Sequence, residues 1–255
     1  MLSRWLWAGV LCLLTAATAR GGLITFDNYP NGKVINNQYF ASDQVSISAD
    51  NFTVGHPDLS ILFDTNLTNT NDKDLQQPWT GGGNASTKNF HKILIIAENK
   101  VDNNHDGLID RPDDEGQSQP AGLLKFKFKQ PQVIFGMDLI DCDGFSEIGT
   151  NRGYIAFRSG GNELARVSYG AFVTPGSPFY DPTVHYHDNS ANHLKPITTS
   201  QLHINNFDEV FVNMGWSTAL DNIVFDNSLS GVIPEPGTIL LSLPMAMLQR
   251  RRTIR

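Results

Sequence analysis

The 255-residue chain is long enough for one large or two small domains with a real core. Only 18% of residues are charged, 22 are Gly and 13 Pro, and the formal net charge is −7. That balance excludes a long-helical protein, and an acidic surface repels nucleic acid and anionic membranes while suiting cations or neutral partners.

The first 19 residues read as a secretory signal peptide: Arg4, an apolar run from Leu6 to Leu14, and Ala17-Thr18-Ala19 as a small-residue cleavage site. Export is therefore expected, with the cut after Ala19. Cys12 falls in this leader, so the mature chain keeps Cys142 alone and no intramolecular disulfide is expected. Asp141 and Asp143 flank that thiol, and neighbouring carboxylates make a poor nucleophile of it. A small buried residue is the better reading.

The mature chain opens with three predicted strands, Leu23 to Asp27, Val34 to Tyr39 and Val45 to Ser48, with Asn31-Gly32 as a turn. A long polar segment from Asn51 to Asn89 follows, carrying Asp64, Asp72, Asp74, Trp79 and Gly81-Gly82-Gly83. A loop of that length usually has a function or an ion to order it. Its glycines do not follow a strand and open a helix, so they do not make a phosphate cradle.

Lys92 to Ala97 is a continuous apolar run that predicts a buried strand. Leu124 to Lys129 alternates apolar and basic residues and predicts a half-buried one. Between them lies D-x-N-x-D-G-x-I-D-x-x-D, the spacing of the calcium loop in EF-hands and dockerin-like repeats. Calcium takes six to eight oxygens at about 2.4 Å, and short acidic side chains at alternate positions can converge on it. Asp102, Asn104 and Asp106 would supply the first oxygens, Leu108 its carbonyl, Asp110 a direct or water-mediated contact, and Asp113 the closing ligand. Gly107 allows the sharp turn. Helices on either side are not expected, because a strand precedes the loop and Pro112 sits where an exit helix would run. The alternative is a solvated connection rich in turn residues.

Further strands are predicted over Val133 to Ile140, over the hairpin Arg152 to Phe157 and Glu163 to Val167, and over Leu202 to Ile204, Glu209 to Met214 and Ala219 to Phe225. Tyr169 to Lys195 reads as an irregular loop with room for one strand. Roughly a dozen strands indicate an all-β fold, a β-sandwich or jelly roll spanning residues 20–229. His185 and His187, with Asp188 and His193 nearby, could bind zinc or simply line a surface loop. Asp138, Asp141 and Asp143, or Asp64, Asp72 and Asp74, could form a second calcium cluster or remain solvated. Of the aromatics that could stack on sugars, Tyr180 and Tyr186 are loop residues, Trp216 continues a strand alternation and suits the core, and Trp79 is the better ligand-binding candidate. The chain contains neither G-x-S-x-G nor H-E-x-x-H nor a paired Cys motif. A non-catalytic protein is expected, with a glycosidase carboxylate pair left open because its spacing is a three-dimensional fact.

The tail, 230–255, runs Pro234-Glu235-Pro236, an apolar stretch from Gly237 to Leu248, then Arg250-Arg251-Arg252. This three-part order resembles the PEP-CTERM sorting signal of bacterial exported proteins. The body is similar to secreted β-sandwich domains found ahead of such tails, through Ile24-Thr25-Phe26-Asp27, Gln38-Tyr39, Phe63-Asp64 through Asp72-Lys73-Asp74-Leu75, Pro112-Asp113-Asp114 and Leu220 to Phe225. The resemblance implies export to the cell envelope or outside, a short C-terminal sorting helix that acts as a transient anchor or is removed by a membrane processing enzyme, and an exopolysaccharide-rich setting. Processing at both ends, with the far cut after Pro236, would remove five arginines, leaving 14 basic against 26 acidic residues and a charge of −12. The function these readings support is a secreted, calcium-stabilised, non-catalytic sandwich associated with extracellular polysaccharide. The alternatives are a carbohydrate-binding module or a polysaccharide-acting enzyme.

Overall fold

Residues 21–70, 72–143 and 152–228 are described by the computed structural model. The leader predicted over 1–19 and the sorting tail predicted over 230–255 lie outside them. Eleven strands build two antiparallel sheets: β1 (Gly22–Ile24), β2 (Val45–Asn51), β3 (Ser60–Asp64), β4 (Lys92–Ile96), β5 (Gly122–Gln132), β6 (Ile134–Ile140), β7 (Tyr154–Ser159), β8 (Asn162–Ser168), β9 (Ala191–Thr198), β10 (Phe207–Met214) and β11 (Ala219–Asp226). One sheet runs β3-β4-β11-β6-β9, with β1 paired to β11 in line with β4, and the other runs β2-β5-β10-β7-β8.

Within that order, β4-β11-β6-β9 faces β5-β10-β7-β8, and each step from β4 to β5, β6 to β7, β8 to β9 and β10 to β11 crosses between sheets. This is the connectivity of a jelly roll, two Greek keys closed face to face. Because the strands are antiparallel, all four crossings leave the sandwich at the same end. The register places them together: Ile140 ends β6 opposite Ala191 and Ala219, the first residues of β9 and β11.

Alternation explains the inner layer. In β5, Leu124, Phe126 and Phe128 point inward while Lys125, Lys127 and Lys129 point out. They meet Phe135, Phe157, Phe207 and Phe225 in one aromatic core, with Phe157 and Phe207 at 5.0 Å between ring centroids. Strand β4 does not alternate because both its faces are covered. Leu94 and Ile96 enter the main core, while Ile93 and Ile95 join a second cluster on the outer face of the sheet. The covering layer is the long segment between β3 and β4, which contributes Leu75, Trp79, Ala85 and Phe90.

Several elements differ from the sequence reading. Val34 to Tyr39 makes a single bridge, Val34 to Ile61, and then turns into the short helix α1 (Phe40–Asp43). Leu202 closes another short helix, Thr199–Leu202, capped by a reciprocal Thr198–Gln201 box, so no strand forms over Leu202 to Ile204. Strand β3 lies inside the segment read as polar, and β9 spans the end of the segment read as a loop. The hairpin β7–β8 turns at Gly160-Gly161, both at positive φ, as its sequence predicts.

Candidate metal centre

The β4–β5 crossing holds the expected calcium loop, and it folds without flanking helices. Asp102 accepts hydrogen bonds from the Asp106 N–H (3.2 Å) and the Gly107 N–H (3.0 Å). The Asn104 side-chain carbonyl also accepts from Asp106 N–H at 3.1 Å, and Asp106 accepts from Leu108 N–H at 2.9 Å. His105 and Gly107, at φ of 59° and 82°, supply the reversal. Asp102, Asn104 and Asp106 thus stand in one exposed knot. The remaining expected ligands are placed otherwise. Leu108 bridges to Lys33, Asp110 turns back to accept from Asn103 N–H and Nδ2 at 2.8 and 2.9 Å, and Asp113 leaves the loop altogether.

Asp113 joins a different acidic assembly at the crossing end of the sandwich. Carboxylate oxygens of Asp72, Asp113 and Asp114 lie within 4.8 Å of one another, as do those of Asp74, Asp141 and Asp188. The topology explains the convergence. Asp113 and Asp114 come from the β4–β5 crossing, Asp141 follows β6, Asp188 precedes β9, and Asp72 and Asp74 come from the covering segment. A bridge between Ala97 and Asp114 and a bond from Asp141 N–H to Ser190 O (2.8 Å) tie these loops to the sheet ends.

Burial and mutual repulsion raise these carboxyls. Burial is the main cause at Asp141, which is pushed up to about 9, with the Asp74 charge adding to it. Asp113 rises to about 6, from burial and then from the charges of Glu98 and Asp74. Asp72 and Asp114 also rise by burial and by facing acidic neighbours, although Ser217 Oγ donates to both Asp114 oxygens at 3.0 and 2.9 Å. Asp143 rises too, from burial and the nearby Asp188 and Asp74. None of these groups is in an ion pair among the described residues. A set of hard oxygen ligands with no organic cation is the chemistry that suits calcium or magnesium.

The other candidates are placed elsewhere. Asp138 is buried against His193 Nδ1 (2.5 Å), Lys88 Nζ (3.4 Å) and Asn222 Nδ2 (2.8 Å), apart from the acidic assembly. His185 and His187 are exposed, and with His193 turned to Asp138 the three do not gather within the reach of one ion. Asp64 pairs with Lys92 at 2.8 Å. Cys142 is buried, as expected. Trp79 is a correction: it is 6% exposed, packs edge-on against Phe90 at 5.6 Å, and donates Nε1–H to Lys88 O at 3.0 Å. It is a member of the second core rather than the exposed aromatic expected, and it also lines a shallow surface pocket with Gln77, Pro78 and Lys88. Trp216 is half-buried in the β10–β11 crossing, where Nε1–H donates to Gly116 O.

The sequence carries a faint signal of the acidic assembly, namely short Asp pairs such as Asp113-Asp114 and Asp141-Cys142-Asp143 just beyond strand ends. No local spacing says that they meet. Comparison with family models, with curated proteins and with solved structures finds no match.

Proposed function

We propose that this chain is an exported or cell-surface, non-catalytic jelly-roll protein whose fold is stabilised by calcium. Its working environment would be an extracellular polysaccharide matrix, and its tail would be read by a membrane processing enzyme. The observation that carries the calcium reading is the Asp102–Asp106 knot. Asp102 and Asn104 both accept from Asp106 N–H, Asn104 Nδ2 donates to the Asp106 carboxylate, and Leu108 and Ile109 anchor the knot to the strand-like Gly32-Lys33. An ion there would stabilise the fold by linkage, because the unfolded chain does not hold the oxygens together. With Asp110 engaged by Asn103 and Asp113 elsewhere, affinity in the millimolar range of extracellular sites is expected, on the order of 10⁻⁴ to 10⁻³ M.

The test is thermal unfolding in millimolar calcium and in chelator, with Asp106→Ala alongside. Calcium should raise the melting temperature, and Asp106→Ala should lose part of that rise. A melt that ignores calcium would remove the reading. The carbohydrate-binding alternative rests on Trp79, whose 6% exposure gives it less support than the calcium reading has. The enzyme alternative needs carboxylates that a polymer can reach, and Asp72, Asp114 and Asp141 are buried.

A further inference from the structure

We propose that the carboxylate cluster of Asp72, Asp113 and Asp114 is a divalent-cation site, separate from the Asp102–Asp106 knot, which latches the covering segment onto the sheet-crossing end of the sandwich. The chemistry is that of a hard cation with carboxylate ligands, calcium being the natural occupant outside the cell.

Two independent observations support it. The first is span. Two ligands on opposite sides of one calcium ion are at most twice the metal–oxygen distance apart, about 4.8 Å. All three carboxylates fall within 4.8 Å of one another, inside the span of one ion's ligand shell. The second is an orphaned atom. Asp72 is 6% exposed, and among the described residues no N–H or hydroxyl donates to its Oδ2; its carboxyl faces those of Asp74 and Asp114, while Oδ1 accepts a 3.3 Å bond from Leu75 N–H. A buried carboxylate oxygen without a donor is costly, and a cation facing it removes that cost. The adjoining triad Asp74, Asp141 and Asp188 adds negative potential that favours a divalent over a monovalent ion.

The mechanical consequence follows from where the ligands sit. Asp72 belongs to the covering segment that supplies Leu75 and Trp79 to the second core. Asp114 is fixed on Ala97 at the end of β4 and, through Ser217, on the β10–β11 crossing. One ion therefore ties the covering segment to the β4–β5 crossing, which Ser217 in turn holds to the β10–β11 crossing.

The experiment is calcium titration of the full chain by calorimetry, with Asp72→Asn, Asp114→Asn and Asp106→Ala measured alongside. The tighter binding phase should survive Asp106→Ala and weaken at least tenfold in Asp72→Asn and in Asp114→Asn. Retention of that phase in both Asn variants would overturn the proposal, and so would the absence of calcium binding by the wild-type chain. Should the variants fail to fold, a lanthanide-loaded crystal of the wild-type chain decides the matter. An anomalous peak among Asp72, Asp113 and Asp114 supports the site, and a peak confined to Asp102–Asp106 sinks it while leaving the calcium-stabilised reading intact.

Discussion

Two neighbouring carboxylates show how much the immediate partners decide. Glu115 is buried, which alone would raise its pKa, yet bonds from Asn51 Nδ2 (2.9 Å), Gln117 N–H (2.7 Å) and His56 Nδ1 (2.6 Å) bring it below the ordinary range. Asp114, one residue earlier, has a single hydroxyl donor and acidic neighbours, and it moves up. Glycine positions carry an equally local argument. Gly32 sits at φ 75°, and a Cβ there would meet Ile109 O at 2.2 Å, where the calcium-loop segment is pinned. Gly107 has φ 82° but open space around it. Gly32→Ala should therefore destabilise the chain by more than about 1 kcal/mol, and by more than Gly107→Ala, as read from urea midpoints. The reverse order would mean that the Gly32–Ile109 contact does not hold the loop.

At the level of elements, the segment between β3 and β4 earns its order by burying Leu75, Trp79, Ala85 and Phe90 on the outer face of a sheet. Trp79→Ala should cost about 3–5 kcal/mol, the range for removing a large buried aromatic. It should also speed amide exchange across residues 72–90 more than in β5 or β10. Unchanged stability with loss of binding on a glycan array would instead restore Trp79 as a sugar platform. Chelation should produce the same regional increase in exchange, because the proposed latch and the second core hold the same segment.

For the whole molecule, the raised carboxyls set the pH dependence of the cation-free chain. A carboxyl whose folded pKa lies above its unfolded value of 3.8 binds more protons folded than unfolded across the window between the two. Stability then falls as pH rises through that window. For Asp113 the window closes at about pH 6, and for Asp141 at about pH 9. In chelator, the chain should be more stable at pH 5 than at pH 8 by urea unfolding. Calcium should restore more stability at pH 8 than at pH 5, because protons and the ion compete for the oxygens of Asp113. Equal chelator stabilities at the two pH values would mean that these carboxylates are not repelling one another.

The all-β character was legible because it rests on short-range rules. Alternation in Leu124 to Lys129, the Gly160-Gly161 turn and the unbroken apolar run of β4 each report their own surroundings. The knot of Asp102, Asn104 and Asp106 was legible for the same reason, since its side chains are two residues apart. Strand β3 was hidden by polar neighbours, β9 was expected only as one unplaced strand within Tyr169 to Lys195, and Leu202 was claimed by a cap that competes locally with a strand. The fate of Trp79 and Asp113 was decided elsewhere. Trp79 sits among polar residues in sequence, and only the outer face of a sheet built from β3, β4, β6, β9 and β11 makes it a core residue. Asp113 has the spacing of a loop ligand, yet jelly-roll connectivity brings it to Asp72, some forty positions away. Local chemistry writes strands and turns, but a site made of side chains from several crossings exists only once the sheets have paired and brought those crossings to one end.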